Sequence, residues 1–343
     1  MKRILTGTFL VGILTVTPNV ALAWGTTGHR EINLIAMRTL PSDVPMFLQT
    51  DQATVTIEAL GPEEDRLKGA GFSWDHDSDP AHYVDIADDG TIGGKISLRY
   101  LPADMEEYAS ALALLGSDPY RVGYLPYAIA DGWEQLRKDL AYWRAFDFLE
   151  RHAVGTEVRE NFMAGRRLRE ALVIHDIGVW GHFVGDGSQP LHVTVHYNGW
   201  GDYPNPNHYT GEHIHAAFEG AFVRDYVRAG AVARLVRAGG HRALDHLLTQ
   251  TEILSAVGSY LSFTTSHVTQ LYEIQQLGGF RQGSSEAVEF VTARVADGAR
   301  ELRDLVVLAW DDSSYEAVGY PEILVQDIQT GKVVPTPSAF GGD

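Results

Sequence analysis

The sequence predicts a mainly α-helical protein with a single domain. Long stretches show the apolar spacing of amphipathic helices, and no repeat or linker divides the chain. None of the 343 residues is cysteine, so disulfides and cysteine-ligated zinc are excluded. Stability must therefore come from a packed core, for which a chain of this length is sufficient.

The first 23 residues have the pattern of a secretory signal peptide. Lys2 and Arg3 precede an apolar run, and Ala21-Leu22-Ala23 forms an Ala-x-Ala cleavage site. A membrane anchor is the weaker alternative, because the run is short for a bilayer. The pattern predicts a mature chain that begins at Trp24, a secreted or periplasmic location, and no transmembrane segment after cleavage.

The predicted elements follow in order along the chain. Helical spacing predicts α-helices over residues 28–40, 103–115, 133–152, 159–186, 212–230, 231–247, 250–275 and 284–311. Residues 62–99 are loop-rich with a short hairpin within 83–98, and 194–211 form a polar loop. One domain over 24–327 is the simplest organisation, and the Gly- and Pro-rich segment 328–343 is predicted to be a flexible tail.

The longest predicted helix, 159–186, carries chemically distinctive side chains near its end. One stripe along this helix contains Leu168, Leu172, His175, Val179, His182 and Asp186. Pro190 cannot continue a helix, so the chain should turn and bring His192 back toward the same region. Imidazole and carboxylate groups that converge from a helix and its exit turn indicate a metal site.

A histidine followed four residues later by an acidic residue is weak evidence alone. About two such pairs are expected by chance in this composition, a risk that any short motif carries. Four occur, at His182/Asp186, His208/Glu212, His215/Glu219 and His241/Asp245. The His241 pair reads as a solvated helix face, and the His208 pair falls in the polar loop. The other two need support from elsewhere in the chain.

Two earlier segments provide candidate partners. The free α-amino group and carbonyl oxygen of a mature Trp24 can chelate a cation, and His29 lies five residues on. Asp65 and the run His82-Tyr83-Val84-Asp85 follow. The plainer alternatives are an ordinary N-terminus with a surface histidine, and a solvated acidic loop.

Together these segments resemble the zinc-dependent single-strand nucleases of the S-one/P-one type, whose superfamily includes bacterial zinc-dependent phospholipase C. The matching landmarks span most of residues 24–219. They are Trp24-Gly25-x-x-Gly28-His29, His82-Tyr83-x-Asp85, the block 182–192 and His215-x-x-x-Glu219. The 182–192 block is the most specific of them.

The resemblance implies a mainly helical fold with a trinuclear zinc cleft. One zinc would be held by Asp65, His82, His182 and Asp186, and a second by His192, His215 and Glu219. The third would take the amino nitrogen and carbonyl oxygen of Trp24, with His29 and a shared Asp186. Zinc lowers the pKa of a bound water to about 7, which supplies a nucleophile for attack at phosphorus.

The resemblance also assigns substrate contacts. Tyr83 would stack on a base and Asp85 would accept hydrogen bonds from it, and stacking tolerates any base. The alternative for Tyr83 is a half-buried core aromatic. Lys68 occupies the position where the nucleases carry an arginine that meets phosphate charge, and Arg66 is the other candidate. Lysine supplies the charge without the bidentate geometry.

The expected function is therefore an exported zinc-dependent phosphodiesterase that cuts single-stranded DNA or RNA to 5′-nucleotides, with 3′-phosphate removal as an additional activity. A phospholipase C acting on choline lipids is the alternative, because Glu219 stands where the nucleases usually carry Asp and the phospholipases carry Glu. The short Trp24–His29 spacing favours the nucleases. A non-catalytic zinc-binding protein is a third class, and no stable protein partner is implied. The net charge of −18 argues against salt-driven duplex binding.

Overall fold

The chain is described by a computed structural model over residues 24–240, 246 and 249–341. It is 68% helix and 3% strand and forms one compact domain, which confirms the mainly α-helical prediction. The predicted signal peptide, the His241/Asp245 pair and the last two residues lie outside the described residues. Within the described part, no helix combines the length and apolarity needed to cross a membrane.

The α-helices that precede the polar loop 194–211 end with two long ones. They are α1 (Gly25–Arg38), α2 (Asp51–Leu60), α3 (Glu63–Leu67), α4 (Phe72–Ser78), α5 (Met105–Ala113), α6 (Pro119–Val122), α7 (Leu125–His152) and α8 (Thr156–Asp186). Short 3-10 helices lie at Met46–Gln49, Asp79–His82 and Leu98–Tyr100. The structure thus has three short helices, two α and one 3-10, within the segment 62–99 that composition predicts as mostly loop.

The second half continues with shorter helices and one long one. They are α9 (His215–Phe218), α10 (Gly220–Tyr226), α11 (Ala229–Ala238), α12 (Gln250–Thr265), α13 (Val268–Gln276), α14 (Gly279–Gln282), α15 (Ser285–Asp312) and α16 (Val325–Gln329). Further 3-10 helices lie at Pro190–His192, Ser313–Tyr315 and Pro337–Phe340. The predicted helices 212–230 and 250–275 are each divided in two.

An antiparallel pair of long helices, α7 and α8, forms the centre of the fold, and α15 and α1 pack against it. Fully buried side chains such as Ile32, Trp133, Ile177 and Leu302 join these four helices in one apolar core. Burial of this kind is the main source of stability in a chain without disulfides. The core therefore fixes the mutual position of α1 and α8, which carry candidate metal ligands.

The stripe predicted along α8 is wrong in its first half. Leu168 is 56% exposed and His175 is also exposed, whereas Phe162, Val173 and Ile177 face the core. The end of the helix follows the prediction, because His182 and Asp186 are both buried. The helix ends at Asp186, four residues before Pro190.

Two small hairpins complete the fold. Strand β1 (Thr91–Ile92) pairs with β2 (Ile96–Ser97) in antiparallel register, Thr91 opposite Ser97, as predicted for the segment 83–98. Gly93 and Gly94 in the connecting loop both have positive φ, which glycine adopts without steric cost. A second antiparallel pair joins β3 (Ala317–Val318) to β4 (Ile323–Leu324).

The C-terminal segment packs on the domain, in contrast to the flexible tail predicted for 328–343. Over its described residues, Phe340 lies 4.9 Å from the Phe146 ring and 6.3 Å from the Phe162 ring, centroid to centroid. Val325 and Ile328 are buried in the same small core. The Gly and Pro content therefore marks turns here, because aromatic anchoring outweighs the local entropy.

Candidate metal centre

Eight side chains from separate elements converge at the end of α8. They are His29 from α1, Asp65 from α3, His82 from a 3-10 helix, His182 and Asp186 from α8, His192 from the following 3-10 helix, and His215 and Glu219 from α9 and its end. These are the eight side chains that the sequence predicts as ligands. Their ligand atoms form three groups in which all atoms lie within 4.8 Å of one another: His29/His182/Asp186, Asp65/His82/His182 and His192/His215/Glu219.

The tautomers of two histidines leave a lone pair for a cation. Nδ1 of His182 donates to the Gly61 carbonyl oxygen at 2.8 Å, and Nδ1 of His192 donates to the His82 carbonyl oxygen at 2.6 Å. A carbonyl only accepts, so the proton sits on Nδ1 and Nε2 is unprotonated in the neutral ring. Metal-binding histidines are commonly oriented in this way.

The distances between ligand atoms within each group match those expected when the atoms bind one ion. Nε2 of His182 lies 3.0 Å from Nδ1 of His82 and 3.5 Å from Oδ2 of Asp186. Nε2 of His192 lies 3.5 Å from Oε1 of Glu219. Two ligands of one tetrahedral zinc, each about 2.0–2.1 Å from the ion, are roughly 3.3 Å apart. The groups are therefore close to the size that such an ion needs.

Unsatisfied polar atoms concentrate in these groups. Among the described residues, buried atoms without a hydrogen-bond partner include both ring nitrogens of His29, Oδ1 of Asp186, Nε2 of His192 and Oε2 of Glu219. Buried polar groups normally have partners, because leaving one unpaired costs about 1–3 kcal/mol. A bound cation would satisfy several at once, so these residues fit a metal site.

Burial also sets the protonation of the ligands. It lowers the pKa of His29 and His82 well below the usual histidine value, and lowers the pKa of His182 to about 4. Burial, and next the Asp65 carboxylate, raise the pKa of Asp186 well above its usual range. The imidazoles are thus neutral at pH 7, the form that binds metal, and a cation would compete with a proton for Asp186.

Close packing of α1 on α8 brings His29 to the site. A Cβ on Gly185 would lie 3.1 Å from Nδ1 of His29, and one on Gly181 would lie 2.2 Å from Oδ1 of Asn33. Only glycine allows this approach, which stacks the His29 and His182 rings 3.7 Å apart. His182 therefore borders two of the three groups, whereas the resemblance assigns it to one ion.

Trp24 is fixed beside the same helix. Its fully buried indole Nε1 donates to the Gly185 carbonyl oxygen and to Oγ of Ser188, both at 2.9 Å, and its ring packs on Phe218. Gly185 directly precedes Asp186. The residue at the predicted mature N-terminus is thus anchored next to Asp186.

Glu219 reaches its group through a break in the helix. The predicted helix 212–230 is interrupted at Glu219, whose φ of −91° and ψ of −97° are not helical. Its Oε1 lies 2.5 Å from Nε2 of His215 and also accepts from the Gln189 amide. The amide of Gln189 thereby holds the carboxylate, a role that the sequence analysis missed because Gln189 becomes a neighbour only in the fold.

The groups open into a cleft of about 360 Å³, within the range of about 300–1,000 Å³ typical of ligand pockets. His82, His192 and His215 line it, while His29 and His182 are fully buried behind. The remaining lining residues are Lys68, Asp79, Tyr83, Asp85, Arg121, Leu191, Tyr197 and Asn198. Arg121, Tyr197 and Asn198 were not predicted, since no local motif marks them.

Lys68 is a cation of the cleft that lies beside the metal-capable groups. Its Nζ donates to Oδ1 of Asp65 at 2.8 Å, and both side chains are largely buried. Burial alone lowers the pKa of Lys68, but the Asp65, Asp186 and Asp79 carboxylates together outweigh it, so the net shift is upward. Arg66 instead pairs with Glu63 at 2.6 Å on the exposed surface. Of the two predicted candidates, Lys68 is the one beside the metal groups.

Tyr83 and Asp85 also line the cleft. The Val84 N–H between them donates to the His192 carbonyl oxygen at 2.9 Å, and the Asp85 N–H donates to Val122 at 2.7 Å. Tyr83 is half-buried, with its hydroxyl 3.3 Å from the Tyr120 carbonyl oxygen. Burial raises the pKa of Asp85 to about 7. The two side chains predicted to contact a base thus face the same cavity as the metal groups.

His196 is a buried histidine outside the metal groups. Its ring stacks on Trp200 at 3.8 Å, Nδ1 lies 3.0 Å from the Trp200 carbonyl oxygen and Nε2 lies 2.9 Å from Oδ1 of Asp88. It holds the predicted polar loop 194–211 against the domain. A histidine in a polar loop gave no sequence signal for this role.

The chain matches no protein-family model, no characterised protein and no solved structure in the comparisons made. Any relationship to the zinc nucleases therefore rests on the motif residues and their geometry.

Proposed function

We propose that this chain is a zinc-dependent phosphodiesterase that hydrolyses single-stranded DNA or RNA to 5′-nucleotides, of the S-one/P-one type, and that it also removes 3′-phosphates. The observation that carries the proposal is the placement of three metal-capable groups at the base of a cleft with Tyr83, Asp85 and Lys68 on its walls. Histidine and carboxylate donors without cysteine suit zinc.

The three groups would hold three zinc ions, with the main-chain atoms of Trp24 completing the group of His29 and Asp186. Bound zinc supplies Lewis-acid polarisation of phosphate oxygens and acidifies water. Asp65 and Asp186 would be ligands themselves, and the Gly61 and His82 carbonyl oxygens keep His182 and His192 in the tautomers that bind metal.

The walls of the cleft would bind the substrate. The Lys68 ammonium, 2.8 Å from Asp65, lies where a phosphate approaching the metals would meet positive charge. The Tyr83 ring offers a stacking surface, and Asp85 offers hydrogen bonds to a base edge. Stacking does not depend on base identity, which suits a nuclease without sequence preference.

The phospholipase alternative has less support in the cleft. Its walls carry Lys68, Asp79, Asp85 and Arg121, and Leu191 is the aliphatic residue among the described lining. Acyl chains need apolar surface, whereas these groups suit a polar, charged substrate. We further propose export by the predicted signal peptide to the periplasm or the medium.

The test uses purified mature protein with single-stranded DNA, RNA and phosphatidylcholine, each with and without a chelator. Hydrolysis of the oligonucleotides that the chelator abolishes and zinc restores is expected. In Tyr83→Ala, the apparent KM for single-stranded DNA should rise about fivefold or more, because a base stack contributes about 1–3 kcal/mol. A model diester without a base should be affected far less, and zinc content should not change.

Rapid turnover of phosphatidylcholine with the oligonucleotides untouched would overturn the nuclease proposal and support the phospholipase. Stoichiometric zinc without turnover of any of the three substrates would support a non-catalytic zinc-binding protein.

A further inference from the structure

An exposed aromatic surface adjoins the cleft residues Tyr83 and Arg121; it is here called the aromatic platform and is defined by Phe72, His76 and Tyr120. The His76 and Tyr120 rings are stacked with centroids 4.8 Å apart, and the Phe72 and His76 centroids are 6.1 Å apart. Phe72 is 85% exposed and Tyr120 is 46% exposed. Apolar ring surface is unfavourably exposed to water, so burial of these rings under a partner is favoured.

Hydrogen bonds from two tyrosine hydroxyls to main-chain carbonyl oxygens hold the platform against the wall of the cleft. The Tyr124 hydroxyl donates to the Asp77 carbonyl oxygen beside His76, and the Tyr83 hydroxyl donates to the carbonyl oxygen of Tyr120. Gly123 has a φ of +80°, and a Cβ there would lie 2.0 Å from the Tyr83 carbonyl oxygen. The turn after α6 therefore packs directly against Tyr83, the residue proposed to stack on a base.

Arg121 directly follows Tyr120 of the platform and lines the cleft. Its side chain lines the cavity with Tyr83 and Lys68. Among residues 24–240, 246 and 249–341, its guanidinium makes no ion pair or hydrogen bond, and only its main-chain N–H is bonded, to Asp118. An exposed guanidinium without a protein acceptor is well suited to bind phosphate.

We propose that Tyr120 and Arg121 form a second nucleotide site, which binds the nucleotide adjacent to the one in the Tyr83 pocket. Arg121 contacts the phosphate that joins the two nucleotides, and the outer face of the Tyr120 ring, backed by His76, stacks the second base. The proposal rests on the proposed nuclease function and adds a preference for substrates with at least two bases.

The charges around the platform favour this occupant over a duplex. Asp75 and Asp77 flank His76 in the chain, so phosphates are repelled from the platform itself and kept on the side of Arg121 and Lys68. Bases carry no net charge and can approach. In a duplex the bases are already paired and stacked, which leaves the rings nothing to bind.

The test compares three substrates of one phosphodiester each: a dinucleotide, and the same molecule with the base removed from either the 5′ or the 3′ nucleoside. Wild-type protein with zinc should cleave the dinucleotide with a kcat/KM about fivefold or more above one of the abasic analogues. Tyr120→Ala and Tyr120→Leu should remove most of that preference. Tyr100→Ala, a change of a 73% exposed tyrosine outside the cleft lining, should keep it.

Arg121→Ala should raise KM for all three substrates, and Arg121→Lys should restore part of the loss. A preference that is the same in the wild type and in both Tyr120 variants would overturn the second site while the nuclease function stands. Failure of wild-type protein to cleave the dinucleotide or longer single strands would overturn the proposed function and the second site with it.

Discussion

Oδ2 of Asp186 lies 3.0 Å from Nδ1 of His82, and Oδ1 of the same carboxylate lies 3.5 Å from Nε2 of His29. One fully buried side chain thus faces two of the three metal-capable groups. Burial and nearby carboxylates oppose its negative charge, so a cation at either group would favour the ionised form. Asp186 is therefore the residue at which metal content and activity should be most closely linked.

Asp186→Asn should lower both bound zinc and turnover. The loss should exceed the roughly 10–100-fold range seen when only an outer partner of a ligand is removed. The matched control is Asp176→Asn, on the same helix but paired with the exposed His175. Zinc per chain by elemental analysis and kcat/KM on single-stranded DNA test this. Full zinc content and activity in Asp186→Asn would exclude a shared ligand.

A free amino group on Trp24 should be required for full metal loading. Any residue retained before Trp24 converts the amine to an amide, which binds zinc poorly, so a protein with an N-terminal extension should lose zinc and turnover. Trp24→Phe at the mature terminus keeps the amine but loses the indole bonds to Gly185 and Ser188. Trp24→Phe should melt at a lower temperature than the wild type. It should nevertheless bind more zinc than the protein with the N-terminal extension. Equal loading of the extended and mature forms would contradict the ligand role.

Gly181→Ala should destabilise the protein and weaken metal binding. The new Cβ would lie 2.2 Å from Oδ1 of Asn33, and overpacking of this kind costs about 1–3 kcal/mol. Gly230→Ala, in α11, is the control because no atom lies within 4 Å of the added Cβ. It should be neutral or stabilising by up to about 1 kcal/mol from helix propensity. Denaturant unfolding and zinc titration measure both effects.

Asp85→Asn should stabilise the metal-free protein at alkaline pH. Because burial raises the pKa of the folded-state Asp85 carboxyl to about 7, above the usual aspartate value of 3.8, the folded protein binds an extra proton between these two pH values. Stability then falls as pH rises through this window, and the loss is complete above it. The melting temperature of Asp85→Asn relative to wild type should be higher at pH 8 than at pH 4.5.

Asp202→Asn, a change of an exposed loop carboxylate, serves as the control for that measurement. A melting-temperature difference for Asp85→Asn that does not change between the two pH values would show that burial does not hold this carboxyl protonated.

The ligands were accessible to sequence reasoning because their signals are local. The spacing of His182 and Asp186 follows from the helix period, and Pro190 dictates the turn that returns His192. Gln189, Arg121 and His196 have no such pattern, since each gains its role from a residue far away in the chain. Their discovery required the tertiary structure.

The sequence predicts some elements of the fold more accurately than others. The ends of α8 agree with the sequence within a few residues, but Leu168 and His175 are exposed because the first half of the helix has fewer neighbours than the second. For the C-terminal segment, the Gly and Pro content predicts a flexible tail, whereas the Phe340 ring packs on the Phe146 ring. The break at Glu219 was also missed, because no breaker other than Gly220 follows it.

The bond from Trp24 to Gly185 spans 161 positions, which has a consequence for the order of folding. Contacts between such distant residues form slowly, because a long loop must close first. His29 leaves the ribosome long before His182, so the ligands stay apart until the helices have assembled. Capture of the proposed zinc should therefore be a late event that follows collapse, and a chain exported in the unfolded state, as the proposed signal peptide implies, should travel without its metal.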